Sequence, residues 1–191
     1  MKKIIVAFAL PEEVVNINIP RYEIKPVITN ISKPYAAASL ARAIVDYKPY
    51  AVLNVGSAGT MKYSVGDIVV CRRFFDRDIA RQSFNSISPE ICLKEEFPIR
   101  LQSIIGGKAT DGLFTVNTGD DFVTAADHIE GDVIDMEAFA DALVCKTFGV
   151  PFLSVKYVTD VIGQNSMQIW EERLEKARED LTAYFGKLDI M

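Results

Sequence analysis

The chain has 191 residues, a formal net charge of −5 and 49% hydrophobic residues, which is typical of one globular domain with a sizeable core. The negative charge disfavours a nucleic-acid or anionic-membrane partner. Three cysteines without CxxC spacing and a single histidine, His128, indicate neither a disulfide framework nor a zinc site, and they disfavour a Ser-His-Asp triad.

The first ten residues form a short apolar run after two lysines, which superficially resembles a secretory signal. Pro11-Glu12-Glu13 stands where such a signal needs small residues for cleavage, so the run is interpreted as a buried strand. No segment approaches the roughly 18 consecutive apolar residues of a membrane span. The expected compartment is therefore the cytoplasm, and no membrane partner is expected.

Predicted strands and helices alternate along the chain. The predicted strands are 4–9, 25–30, 51–55, 68–71, 113–116, 133–135 and 152–159, with 25–30 the weakest. The predicted helices are 34–48, 137–148 and 167–185, and the stretch 79–108 is expected to be irregular. This alternation predicts an α/β fold, one domain over residues 1–191, with a central mixed sheet flanked by helices.

Three short segments of small or acidic residues stand where apolar strands end. They are Asn54-Val55-Gly56-Ser57-Ala58-Gly59-Thr60, expected to be a turn, Asp135-Met136-Glu137-Ala138, and Thr159-Asp160. Open α/β sheets bind ligands outside the carboxyl ends of their strands. Small residues let a ligand approach the backbone, and carboxylates can hold hydroxyls or move protons. We therefore expect one site assembled from distant parts of the chain.

Each acidic residue also has an ordinary explanation when it is taken alone. Glu13 could be a solvated loop residue, Glu137 suits the positive end of a helix dipole, and Asp160 could cap a turn. Their joint placement at strand ends favours a site. The Gly56–Gly59 turn is not GxGxxG and no Walker lysine follows it, so nucleotide cofactors are disfavoured. Trp170 is expected to pack rather than to stack on a ligand.

Taken together, these pieces resemble the purine nucleoside phosphorylase and nucleosidase superfamily, most closely its 5′-methylthioadenosine/S-adenosylhomocysteine nucleosidases. The resemblance rests on the order and spacing of 54–59, 65–70, 76–78, 118–120, 135–138 and 159–160. It implies a nucleoside phosphorylase-like fold and hydrolysis of the N-glycosidic bond of a purine nucleoside, without metal or organic cofactor. It also implies a homodimer, because family members complete their pockets with a neighbouring subunit.

The resemblance further implies a role for each matching residue. Glu13 corresponds to the glutamate that activates water, and Asp160 to the acid that protonates a purine nitrogen, oriented by Thr159. The remaining positions correspond to substrate-binding residues, with Phe122 and Val123 at the base, Met136 and Glu137 at the ribose, and Ser57, Ala58 and Gly59 in the turn beside the sugar. Glycosidases divide the analogous work between two carboxyl groups.

The chain also departs from the family pattern. The segment between residues 13 and 34 is shortened, which implies a trimmed pocket for the 5′-substituent. Asn54 stands where bacterial hexameric phosphorylases carry an arginine, which favours water over phosphate as the nucleophile. Arg173 lies where those phosphorylases place an arginine that assists the acid, or it pairs with neighbouring glutamates. The alternatives are therefore a phosphorylase and a degenerate nucleoside-binding protein.

Overall fold

One mixed sheet of ten strands forms the centre of the computed structural model, which describes residues 1–82, 86–93, 96–125, 130–163 and 166–187. The strands are β1 (Lys2–Phe8), β2 (Tyr22–Ile28), β3 (Ala51–Thr60), β4 (Ile68–Asp76), β5 (Glu90–Cys92), β6 (Ser103–Ile105), β7 (Lys108–Thr110), β8 (Phe114–Thr118), β9 (Val133–Asp135) and β10 (Phe152–Val161). The helices are α1 (Lys33–Tyr47), α2 (Arg77–Arg81), α3 (Ala138–Phe148) and α4 (Ser166–Gly186).

Strand β3 is the centre of the sheet. It pairs in parallel with β1 and β10, and β1 pairs in parallel with β2. Strand β4 pairs antiparallel with β10 and parallel with β8. Strand β8 also pairs in parallel with β9, and β9 pairs antiparallel with β3 at Gly59. The five strands β3, β9, β8, β4 and β10 therefore form a closed ring of pairings. The carboxyl ends of β1, β3 and β10 lie together on one side.

Apolar side chains alternate along the strands and fill a core on each face of the sheet. Ile4 and Val6 of β1 pack on one face, with Ala177 and Leu181 of α4, whereas Ile5 packs on the other. The second core contains apolar residues of α1 and α3, including Leu40, Ala43, Ala138 and Ala142. Because successive strand residues point to opposite faces, both faces of the sheet are apolar and both are covered by helices, as expected for an α/β fold.

The predicted α/β fold with a mixed sheet is confirmed, but three local predictions were wrong. Residues 56–60 are not a turn, because their small side chains allow β3 to continue between β10 and β9. The stretch 79–108 contains β5 and β6, and β7 begins at its end. Helix α3 begins at Ala138, so Glu137 is its N-cap. None of the helices in the described ranges is both long and apolar enough to cross a membrane.

Candidate active site

A cavity of about 310 Å³ lies where the carboxyl ends of β1, β3 and β10 meet the start of α3 and of α4. Nine of the ten residues selected from the sequence line it: Glu13, Ser57, Ala58, Gly59, Phe122, Val123, Met136, Glu137 and Asp160. Thr159 stands behind the wall and contacts Asp160. The structure thus brings together residues that are up to about 150 positions apart in the chain.

Glu13 ends a short 3₁₀ turn, Pro11–Glu13, that follows β1 and directs its side chain at β3. Its Oε1 atom accepts hydrogen bonds from the backbone N–H of Ser57 at 2.9 Å and from the Ser57 hydroxyl at 2.6 Å. A Cβ atom at Gly56 would lie 3.3 Å from that oxygen, so glycine gives the carboxylate room. Its Oε2 atom is buried and has no hydrogen-bond partner within the described ranges.

Asp160 lies at a β-bulge in β10. Val158 pairs with Ala58, and Asp160 pairs with the next residue, Gly59, so one extra residue stands between them. Bulges re-aim side chains, and here Val158 packs in the core whereas Asp160 lines the cavity. The Thr159 hydroxyl donates to Asp160 Oδ1 at 2.9 Å. Asp160 is only 3% exposed, and the hydrogen bond from Thr159 fixes the orientation of its carboxyl group.

Glu137 occupies the cavity wall in front of α3. Its Oε1 atom accepts from the backbone N–H of Ser32 at 3.2 Å. Burial, followed by the nearby charge of Asp135, raises the pKa of Glu137 to about 8, while the Lys156 charge opposes that rise. Asp135 itself does not face the cavity freely, because it accepts from the Ala138 N–H at 2.9 Å and anchors the helix. The arrangement leaves Glu137 as the acidic group of this segment that can meet a ligand.

Lys156 is a buried cation in the same cavity that the sequence analysis did not select. Its Nζ atom forms an ion pair with Asp135 Oδ2 at 2.8 Å, and the attraction of the surrounding carboxylates raises its pKa against the effect of burial. The signal in the sequence is a lysine in the middle of the apolar strand Phe152–Val161, which is uncommon unless the charge is paired.

Arg77 fixes the segment that carries Phe122 and Val123. Its Nε atom donates to Asp121 Oδ1 at 2.9 Å, and its Nη2 atom donates to the Asp121 carbonyl. A Cβ atom at residue 119 would lie 2.4 Å from Arg77 Nε, so only glycine fits there. The motif 76–78 contributed to the family resemblance. The contact between its Arg77 and the segment at Asp121 could not be inferred from the sequence.

Trp170 and Arg173 reach the site from α4. The indole Nε1–H of Trp170 donates to Ser57 Oγ at 2.8 Å, and its ring meets Phe122 edge-on with centroids 6.4 Å apart. Trp170 therefore lines the cavity and does more than pack the helix. Arg173 donates to the Thr159 carbonyl at 3.0 Å, which supports the strand next to Asp160.

Asn54 lies at the base of the cavity with its amide already engaged. Its Nδ2 donates to Asp141 at 3.2 Å, and its Oδ1 accepts from Ser154 at 2.7 Å. His128 lies outside the described residues. Among those that are described, no group of three or more histidine, cysteine or acidic side chains is arranged to hold a metal ion.

Comparison with known proteins identifies a family and related nucleosidases. Residues 12–188 match the Phosphorylase superfamily. A 5′-methylthioadenosine/S-adenosylhomocysteine nucleosidase of Marinomonas sp. is 30% identical over 184 residues, which cover 84% of this chain and 79% of the relative. The Bacillus pumilus nucleosidase of the same name is 30% identical over 183 residues, covering 82% and 77%.

A solved structure shares the fold. The Helicobacter pylori 5′-methylthioadenosine/S-adenosylhomocysteine nucleosidase with butyl-thio-DADMe-Immucillin-A superimposes with a TM-score of 0.76 at 19% identity, over 98% of this chain and 97% of that one. The futalosine hydrolase of the same organism gives a TM-score of 0.76 at 17% identity, over 98% of this chain and 97% of that one.

Proposed function

This chain belongs to the phosphorylase superfamily, in its 5′-methylthioadenosine/S-adenosylhomocysteine nucleosidase branch, and from that premise we propose that it hydrolyses the N-glycosidic bond of a purine nucleoside. The preferred substrates are adenine 5′-thio-nucleosides of the kind named for the relatives, and the products are adenine and the free sugar. The observation that carries the proposal is the presence of Glu13 and Asp160, two buried carboxyl groups, on one cavity.

The two carboxyl groups divide the reaction between them. Asp160 donates its proton to a purine nitrogen as the C1′–N9 bond breaks, so the base leaves as a neutral molecule. Glu13 accepts a proton from the water whose oxygen bonds to C1′. One water is consumed, one glycosidic bond is broken, and the net proton balance is zero. General acid and general base assistance are each typically worth about 10²–10⁴-fold.

The other cavity residues hold the two halves of the nucleoside. Phe122 stacks on the purine, and the backbone of Val123 meets its edge. Glu137 accepts hydrogen bonds from the sugar hydroxyls beside Met136. Ser57, Ala58 and Gly59 form the floor under the sugar. The cavity volume of about 310 Å³ is at the lower end of the range for small-molecule pockets.

The charges in the cavity favour water over phosphate as the nucleophile. Among the described residues that line it, six side chains are carboxylic acids and the one cation is Lys156, which is paired with Asp135. Asn54 is neutral and its amide is engaged with Asp141 and Ser154. A phosphate dianion would therefore meet acidic groups without a guanidinium fork to compensate its charge.

The test measures base release from 5′-methylthioadenosine in phosphate-free buffer and again after phosphate is added. We expect equal rates and a free sugar product. Rates that rise many-fold with phosphate, with a sugar 1-phosphate as product, would establish phosphorolysis instead. Nucleoside binding without base release in either buffer would indicate a degenerate binding protein.

We also propose a homodimer, for which apolar side chains on the outer surface of α1 and α3 are the support. Tyr35 and Val45 are 65% and 59% exposed, and Leu143 and Phe148 are 48% and 47% exposed. Light scattering at micromolar concentration should give the mass of a dimer, and Val45→Asp should give a monomer because a charge cannot be buried there without a partner. A monomeric wild-type chain would contradict the proposal.

The free thiols are consistent with a reducing compartment, and we propose the cytoplasm. Cys71 and Cys145 are buried and Cys92 is exposed, without a disulfide. Fractionation of cells that express the tagged chain tests this, and a membrane or secreted fraction would contradict it.

A further inference from the structure

A series of hydrogen bonds joins Trp170 to Glu13 through the Ser57 hydroxyl. Trp170 Nε1 lies 2.8 Å from Ser57 Oγ, and Ser57 Oγ lies 2.6 Å from Glu13 Oε1. The three groups come from α4, β3 and the turn after β1. The indole and the serine are 113 positions apart in the chain, so only the tertiary fold brings them together.

The chemistry of the indole fixes the direction of every bond in this series. An indole N–H can donate but cannot accept, whereas a hydroxyl has one hydrogen and two acceptor lone pairs. Because Trp170 donates to Ser57 Oγ, the single hydroxyl hydrogen is left for Glu13. The short 2.6 Å distance to Oε1 is typical of a hydroxyl that donates to a carboxylate. The series therefore runs from indole to hydroxyl to carboxylate.

This direction distinguishes the two oxygens of Glu13. Oε1 accepts from both the N–H and the O–H of Ser57. Oε2 is buried and, in the described part of the chain, accepts from nothing. The backbone and the side chain of Ser57 therefore hold Glu13 through the same oxygen.

We propose that Trp170 is a positioning residue for the general base: its indole N–H orients the Ser57 hydroxyl, which holds Glu13 Oε1 and so fixes the carboxylate that takes the proton of the attacking water. The proposal rests on the nucleosidase function proposed above. In this arrangement the Ser57 hydroxyl donates its hydrogen to Glu13 and not to the sugar. The aromatic ring alone would not suffice, since a phenylalanine has no donor.

Spectroscopy tests the contact without turnover. The chain contains one tryptophan, so an ¹⁵N-labelled sample gives one indole N–H signal. We expect solvent exchange of this hydrogen to become at least about tenfold faster in Ser57→Ala, because its acceptor is removed. Ser154→Ala is the matched control, as Ser154 is a buried serine of β10 that bonds to Asn54, and it should leave the signal unchanged.

Kinetics tests the role. Trp170→Phe keeps a ring and removes the donor, and we expect kcat to fall about five- to tenfold with KM within about twofold, the effect of one hydrogen bond. In a Ser57→Ala background the same change should lower kcat by less than about twofold, because Trp170 acts through Ser57. A loss of packing alone would lower kcat equally in both backgrounds.

Two results would overturn the proposal: equal effects of Trp170→Phe with and without Ser57, or an indole signal that Ser57→Ala does not change. If the wild-type chain releases no base from any nucleoside, the proposed nucleosidase function is wrong. The indole signal still shows whether Trp170 donates to Ser57, because that measurement needs no turnover.

Discussion

Lys156 Nζ lies 2.8 Å from Asp135 Oδ2, and both side chains are at most 2% exposed. The pair joins β10, which carries Asp160, to the segment before α3, which carries Glu137. Asp135 also accepts from the Thr118 hydroxyl at 2.6 Å, so its carboxylate is fully used in the interior. Lys156 is therefore paired with Asp135 rather than with the neighbouring Glu137, whose pKa is raised to about 8.

Lys156→Met should destabilise the protein by about 3–5 kcal/mol, because it leaves the Asp135 carboxylate buried without its cation. Urea unfolding measures the change. Lys62→Met is the matched control, since Lys62 pairs with Asp132 at 3.1 Å but is 53% exposed, and it should cost only about 0–1 kcal/mol. Equal losses in the two variants would contradict the buried-pair assignment.

Asp141→Asn should change the pH dependence of stability. Burial raises the pKa of Asp141 from 3.8 to about 7, with the Lys156 charge opposing. The native state therefore holds this proton where the unfolded state releases it, so the stability that the group contributes is lost as pH rises through this range. The stability of Asp141→Asn relative to wild type should rise from about pH 4 to about pH 7 and then level off. Thermal unfolding across that range measures this, and parallel curves would refute it.

Gly119→Ala should damage both the fold and substrate binding. The new Cβ atom would lie 2.4 Å from Arg77 Nε and would displace the guanidinium that holds Asp121. We expect a loss of about 2–4 kcal/mol in the free energy of unfolding, because the buried Arg77 guanidinium would lose its hydrogen-bond partners, including Asn117 and the Asp135 carbonyl. KM should rise at least about tenfold, because Phe122 moves with the loop. Gly186→Ala, where the added atom meets nothing within 4 Å, should change neither value.

Asp160→Asn should lower kcat by at least about 100-fold, because the amide keeps the shape of the side chain but has no acidic proton to transfer. Binding of a non-hydrolysable adenosine analogue should stay within a few-fold of wild type. Single-turnover base release and calorimetric titration measure the two effects. Near-normal turnover on the best substrate would show that the acid is a different residue.

Assayed at about pH 9, above the raised pKa of about 8 at which Glu137 ionises, Glu137→Gln should raise KM and lower kcat together, each by about tenfold, since an amide offers one acceptor oxygen where the carboxylate offers two. Steady-state kinetics with a ribose substrate gives both values. Glu175→Gln, an exposed glutamate on α4, is the control and should leave both within twofold. An effect on kcat alone would argue against sugar recognition by Glu137.

The amino-acid sequence by itself determined the fold class and most of the cavity wall. Local alternation of apolar runs predicts strands and helices, and the strand ends predict where Glu13, Glu137 and Asp160 meet. Phe122, Val123 and Thr159 come from the resemblance to the nucleosidase family. These features are properties of short segments, whose side-chain spacing is fixed by backbone geometry.

Tertiary structure alone decided which side chains face each other. Residues 56–60 continue β3 because β10 and β9 supply hydrogen-bonding partners on both sides, and a small-residue segment is equally suited to a turn when considered alone. The pairing of Lys156 with Asp135 and the donation from Trp170 to Ser57 depend on strands and helices packed from distant positions. Such contacts are set by the shape of the whole core rather than by local periodicity, so no spacing in the chain could reveal them.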